Sequence, residues 1–147
     1  MNNSSLYDEK TFYKQFISDL QNCKKEAIIE SPFITSSRMK MLYYILANLA
    51  LKEVRIYIIT RNPIEHVGKY ALESEFEIQR FENSGIQVLL GDGSHHRKLA
   101  IIDREILWEG SLNILSQTNS REIMRRIKSK YLTSEMFNFL KYTFNNH

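Results

Sequence analysis

The chain has one cysteine, Cys23, so no internal disulfide can form and a reducing compartment is expected. No Cys/His cluster has zinc-ligand spacing, because His95 and His96 are adjacent and Cys23 is remote from both in sequence. Long hydrophobic runs are also missing. The longest apolar stretch, Met41 to Leu51, is far too short to span a bilayer and reads as a buried helix. The opening residues, Met1-Asn2-Asn3-Ser4-Ser5, are polar and have no apolar signal core behind them. Two prolines and five glycines make no linker, and no repeat or low-complexity tract divides the chain. The expectation is one domain over residues 1–147, large enough to bury a core, in a cytoplasmic protein without a metal or other cofactor.

A large charge of either sign is absent too. The net charge is +3, which carries no bulk argument for nucleic acid. Its distribution says more: residues 1–90 hold eleven basic and eleven acidic side chains, residues 91–147 nine against six. Arg121, Arg125, Arg126, Lys128 and Lys130 supply most of that excess. Such a run either attracts a polyanion or forms a solvated positive face.

What is present is an alternation of helix and strand. Phe12, Phe16, Ile17 and Leu20 share one face of a helix over Asp8 to Cys23. Ala27-Ile28-Ile29, stopped by Ser31-Pro32, reads as a buried strand. Ser36 or Ser37 can cap a helix through about Leu51, and Val54 to Ile59 is a β-branched second strand. A third helix is expected from about Val67 to Asn83, then a strand over Ile86 to Leu90 and a turn at Asp92-Gly93. Strands over Leu99 to Ile102, Ile106 to Glu109 and Glu122 to Ile127 follow, with a closing helix from Ser134 to Phe144. That order implies an α/β fold in which helices sandwich a mixed β-sheet.

The informative stretch runs His96-Arg97-Lys98-Leu99-Ala100-Ile101-Ile102-Asp103 and then Gly110-Ser111-Leu112-Asn113, or H-x-K-x4-D-x6-G-S-x-N. Histidine titrates nearest neutrality, so it can attack phosphorus or protonate a leaving oxygen. On extended chain His96 and Lys98 project to one side while Arg97 points away. Lys98 then supplies positive charge for non-bridging phosphate oxygens, and Asn113, with Ser111 two residues before it, adds neutral donors. Gly110 lets the backbone pass close to the substrate. Asp103, five residues beyond Lys98 and on the opposite side, is expected to hold the turn. His95 and Arg97 read as loop or substrate-path residues, and Arg121 as a substrate contact from the basic run. Trp108 and the tyrosines read as core.

This pattern resembles the signature of the phospholipase D superfamily, the HKD motif. The resemblance implies an α/β sandwich and phosphodiester cleavage through a histidine nucleophile, and it agrees that Asp103 is not that nucleophile. Glu122 resembles the carboxylate that orients the catalytic histidine in the family's small nucleases; its rival role is to pair with Arg121 or Arg125. The catalytic candidates are therefore His96, Lys98, Asn113 and Glu122, with Ser111, Arg97 and Arg121 toward the substrate and Asp103 and Gly110 in structural roles. In-line attack needs a nucleophile and a general acid on opposite sides of phosphorus, and this chain has one motif. His66 lacks a following H-x-K pattern and His147 is terminal. A homodimer whose two motifs meet at a two-fold axis is expected, with paired Lys98 and Asn113 in place of a metal.

Short single-motif chains resemble the bacterial endonuclease branch, which includes restriction enzymes. Residues 107–116 and 119–126 look like the nuclease-like domain attached to some bacterial DNA helicases. DNA is the expected substrate, with RNA open and a helicase or other defence or repair subunit as a further partner. No basic amphipathic helix points to a membrane. Two other classes stay open: a catalytically silent DNA-docking or dimerisation module, and a phospholipid or other phosphodiesterase.

Overall fold

A computed structural model describes residues 3–66, 68–91 and 95–145 of the chain. The turn expected at Asp92-Gly93, Val67 and the terminal His147 lie outside the described residues. In chain order the elements are β1 (Ser4–Asp8), α1 (Phe12–Gln21), β2 (Glu26–Glu30), α2 (Ser36–Leu51), β3 (Arg55–Arg61), a 3-10 turn (Pro63–Glu65), α3 (Lys69–Asn83), β4 (Gln87–Gly91), β5 (Leu99–Ile102), β6 (Ile106–Gly110), β7 (Ile123–Lys128) and α4 (Lys130–Asn145). The strands form one seven-stranded sheet in the order β1-β7-β6-β5-β2-β3-β4. Strands β2, β3 and β4 are parallel, and every other pairing is antiparallel.

Parallel strands joined through helices need apolar side chains on both faces, and β2 is buried at all five positions. Alternation sends Ala27 and Ile29 to one face, where they meet Phe12, Phe16 and Leu20 of α1, Met39, Leu42 and Leu46 of α2 and Phe81 of α3. Ile28, Ile59, Leu99, Ile101 and Leu107 go to the other face, under Leu140, Met136 and Phe137 of α4. Three helices thus cover one face and a single helix the other, in agreement with the mixed sheet sandwiched by helices.

The amino end differs from the sequence expectation. Ser4–Asp8 is an edge strand, paired antiparallel to β7 from Ser4↔Ile127 to Asp8↔Ile123. Asp8 then accepts the backbone N–H groups of Lys10 and Thr11, at 2.9 and 3.0 Å, while Thr11 Oγ1 accepts the Asp8 N–H. This tight turn stops the strand and delays the helix to Phe12. Trp108 was read correctly as core: fully buried, it packs edge-on against Tyr7 and Phe12 and donates Nε1–H to Asp19 at 2.9 Å.

Candidate active site

The sheet register gathers the motif at one end. Leu99 pairs with both Glu30 and Glu109, and Gly110 pairs with Met124. Residues 95–98 leading into β5, residues 110–113 leaving β6 and Glu122 entering β7 therefore share an edge. The carboxyl ends of β2, β3 and β4 lie at that same edge, where α/β sheets ordinarily receive ligands.

His96 is exposed, and among the described residues its side chain has no hydrogen-bond or ion-pair partner. Lys98 is half-buried, and its Nζ donates to the His96 carbonyl oxygen at 2.7 Å, so the ammonium curls back beside the histidine. Arg97 turns the other way, as alternation expects. Its Nε lies 2.9 Å from Glu30 Oε2, its Nη2 donates to Oε1 at 3.4 Å, and its guanidinium stands 5.8 Å from the Phe139 ring centre. His95 reaches the same carboxylate, with Nε2 3.3 Å from Oε2. Glu30 is fully buried and holds both neighbours of His96. The structure thus gives Arg97 an internal partner, a different placement from a side chain directed at substrate.

The segment after β6 is fixed through its backbone. Tyr13 donates to the Ile114 carbonyl at 2.7 Å, and Ser31 Oγ accepts the Leu115 N–H at 3.1 Å. Thr35 Oγ1 accepts the Gln117 N–H at 2.9 Å, while the Thr35 N–H donates to the Leu115 carbonyl at 3.0 Å. Burial pushes the Tyr13 hydroxyl far above its usual range, despite Arg38 stacked 3.8 Å over the ring, so it stays a neutral donor. Asn113, held between these anchors, keeps its buried side-chain Oδ1 without a hydrogen-bond partner. That oxygen only accepts, so the donor that Asn113 can offer a phosphate is its Nδ2. Ser111 is engaged instead: Oγ accepts the Ile123 N–H at 3.0 Å and lies 3.4 Å from the Ile123 carbonyl oxygen.

Gly110 answers to the next strand rather than to a substrate. A Cβ there would stand 2.1 Å from the Ile123 carbonyl oxygen, so only glycine allows β6 and β7 to close at this point. Asp103 holds a turn, as expected, and does more. It accepts the backbone N–H groups of Lys24, Lys25 and Glu26 at 2.8, 2.7 and 3.0 Å, tying the α1–β2 loop to the β5–β6 hairpin. Burial alone would raise its pKa, but those three donors and the Cys23 thiol bring it below the ordinary aspartate value.

Glu122 is half-buried at the same edge. Its N–H donates to Glu9 at 2.8 Å and its carboxylate accepts from Ser120 at 3.4 Å. Among the described residues neither a bond to His96 nor an ion pair with Arg121 or Arg125 is formed within one chain. Arg121 is exposed at this edge. The rest of the basic run is dispersed. Arg126 faces α1 and clasps Asp19 with two bonds of 2.9 and 2.8 Å, while Lys130 stands at the far end of the sheet, 3.6 Å from Glu105. Sequence reasoning missed Glu30, Tyr13, Ser31 and Thr35. The available signal was the segment Glu30-Ser31-Pro32, polar groups placed directly after a buried strand.

A mixed sheet between helices, with an H-x-K segment at the carboxyl edge of its parallel strands, defines the PLD-like fold. The family model described as "Cardiolipin synthase, PLD-like domain" matches residues 16–143, and the chain belongs to that family. No curated protein matches the chain. Among solved structures it is similar to a phospholipase D family member, Nuc from Salmonella typhimurium, with TM-score 0.74, 18% identity, and 97% of this chain and 95% of that one covered. NucT from Helicobacter pylori gives TM-score 0.73, 18% identity and the same coverage of 97% and 95%. TrmBL2, an archaeal chromatin protein with a novel mode of DNA binding, gives 0.69 at 10% identity, over 99% of this chain and 53% of that one. Family membership supports a phosphodiesterase type of function. Among the described residues no helix is long and apolar enough to cross a membrane.

Proposed function

We propose that the chain, acting as one domain over residues 1–147, is a metal-independent endonuclease that cleaves DNA through a phosphohistidine. The observation that carries this reading is the exposed His96, its side chain without a partner among the described residues, beside Lys98 at the carboxyl edge of the parallel strands, the edge to which the register also brings Asn113. A neutral His96 attacks phosphorus, and the P–O bond to the leaving oxygen breaks as that oxygen takes a proton. The same imidazole cannot do both, so the proton comes from His96 of a second copy. Water then attacks the phosphohistidine and gives its proton back to that second histidine, restoring both groups. Lys98 and Asn113 from each copy stabilise the charge that builds on the non-bridging oxygens. Glu122, without an arginine partner among the described residues, orients a histidine once the two edges meet. Arg121 guides the strand, and Ser111 contributes by holding β7 in place.

DNA is favoured over lipid because Arg121, the member of the basic run exposed at the motif's edge, offers a cation to a flanking phosphate of a strand. The test is cleavage of plasmid and single-stranded DNA in excess EDTA, with phosphatidylcholine in parallel and His96→Ala as control. Expected are a dimer by sedimentation, EDTA-resistant cutting, and a loss of at least about 10⁴-fold in the variant. Metal-dependent cutting that survives the substitution would overturn the mechanism. Turnover of lipid alone would overturn the substrate.

A further inference from the structure

The face carrying only α4 is left partly open. Between α4 and the parallel strands runs a trough of about 660 Å³, floored by Ile28, Tyr57 and Leu89. Arg55, Arg104 and Lys141 line it, with Gln87, Ser134 and Asn138 between them. It lies at the end of the sheet away from the motif, near Glu26, where β2 and β3 begin. One strand length, roughly 15 Å, separates the two places.

The lining carries three cations against one carboxylate, Glu26. Glu26 is taken by Arg104, whose Nε lies 3.0 Å from Oε2. Next to it, Asp103 is occupied by backbone N–H groups and Glu105 is met by Lys130. Arg55 and Lys141 are exposed and have no ion-pair partner among the described residues.

Arg104 is built into position. It is the second residue of the three-residue β5–β6 connection, and both Asp103 and Arg104 have φ of +54°. Glycine is the local choice at that second position, and an arginine there costs about 1 kcal/mol or more. Its guanidinium carbon stands 3.7 Å from the centre of the Phe137 ring, while Glu26 holds Nε. That arrangement leaves the two terminal nitrogens in the fork geometry that suits phosphate oxygens. A strained backbone supporting a braced arginine in an open trough marks a ligand site rather than a turn optimised for folding.

We propose that this trough is a second contact for single-stranded nucleic acid: Arg55, Arg104 and Lys141 take phosphates and Tyr57 takes a base. The proposal rests on the nuclease reading and extends the bound strand well beyond the scissile phosphate.

The test compares Arg55→Ala/Lys141→Ala with its parent, leaving Arg104 and its packing intact. Binding of a labelled oligothymidylate is measured by anisotropy across a salt series, in a His96→Ala background so that nothing is cut. The log–log slope is expected to flatten by about 1.4, near 0.7 for each phosphate released. In the active background the pair should hydrolyse a small chromogenic phosphodiester at the parental rate, since that substrate cannot reach the trough. An unchanged slope with tight parental binding would overturn the trough and leave the nuclease reading standing. No binding by the parent would overturn both. A loss of small-diester turnover would mean that the substitutions act on the active site, and would also overturn the proposal.

Discussion

The two ends of the β5–β6 hairpin treat their polar groups in opposite ways. At the turn, Asp103 has its carboxylate filled by three backbone N–H groups and a thiol, all from within the chain. At the motif end, His96 bonds to nothing through its side chain among the described residues, and Asn113 buries an amide oxygen without a donor. A filled polar group adds stability, whereas an unfilled one costs it and is retained where a ligand completes it. One short motif therefore contains an element filled from within the fold and an element left open, separated by four apolar residues. Substitutions at the anchored positions should cost stability, and substitutions at the open end should cost activity.

The sharpest form of that contrast lies within the basic run. Arg126 is fixed by Asp19, which is buried and also accepts Trp108 Nε1–H and Gln15 Nε2–H. Those Asp19 bonds, working against burial, hold the guanidinium charged more firmly than usual. Arg126→Ala removes the opposite charge from a buried carboxylate, and about 3 kcal/mol of stability should go with it. Chemical denaturation measures this. The comparison breaks if stability is unchanged while DNA binding falls, because Arg126 would then belong to the substrate surface.

Asp103→Ala comes next, at roughly 1–2 kcal/mol, since three backbone N–H groups, two of them on exposed residues, lose a charged acceptor together. The pH dependence has a definite sign. The folded pKa lies below the unfolded value, so the stabilisation is fully present above about pH 4. It is lost as pH falls through the lower folded value, where the unfolded chain binds the extra proton first. Wild-type and Asp103→Asn denaturation midpoints should therefore converge on acidification through that range and stay apart at neutral pH. At neutral pH the small-diester turnover per folded molecule should be little changed, which separates this aspartate from His96.

The sequence made the apolar framework legible because β2, β3, β5 and β6 are short runs that can only be buried. It made the candidate site legible because His96, Lys98 and Asn113 are close in sequence and the β5–β6 hairpin returns the last of them to the edge of the first two. Three features were hidden for physical reasons. The edge strand β1 buries little, with Leu6 exposed, and is defined by its ladder to β7, a pairing that no local pattern encodes. The partners Asp19–Arg126 and Glu30–Arg97 are 107 and 67 residues apart, so their charges read as surface groups until the sheet brings them together. The need for glycine at 110 is set by the Ile123 carbonyl in β7, which excludes a side chain there and cannot be read from β6.

The smallest expected effect comes from Arg121, the member of the basic run at the open end. It is exposed and has no partner among the described residues, so Arg121→Ala should leave stability within about 0.5 kcal/mol of wild type. If it guides the strand, the salt slope of single-stranded DNA binding should flatten by about 0.7, half the change expected for the trough pair. KM for long DNA should rise while kcat holds, because a contact made equally before and during reaction affects binding alone. An equal fall in kcat and kcat/KM would instead place Arg121 against the reacting phosphate, in the chemistry with His96 and Lys98. A loss of stability like that of Arg126 would erase the division between these two arginines. The measured pattern thus decides whether neighbouring arginines in one run serve the substrate and the fold separately.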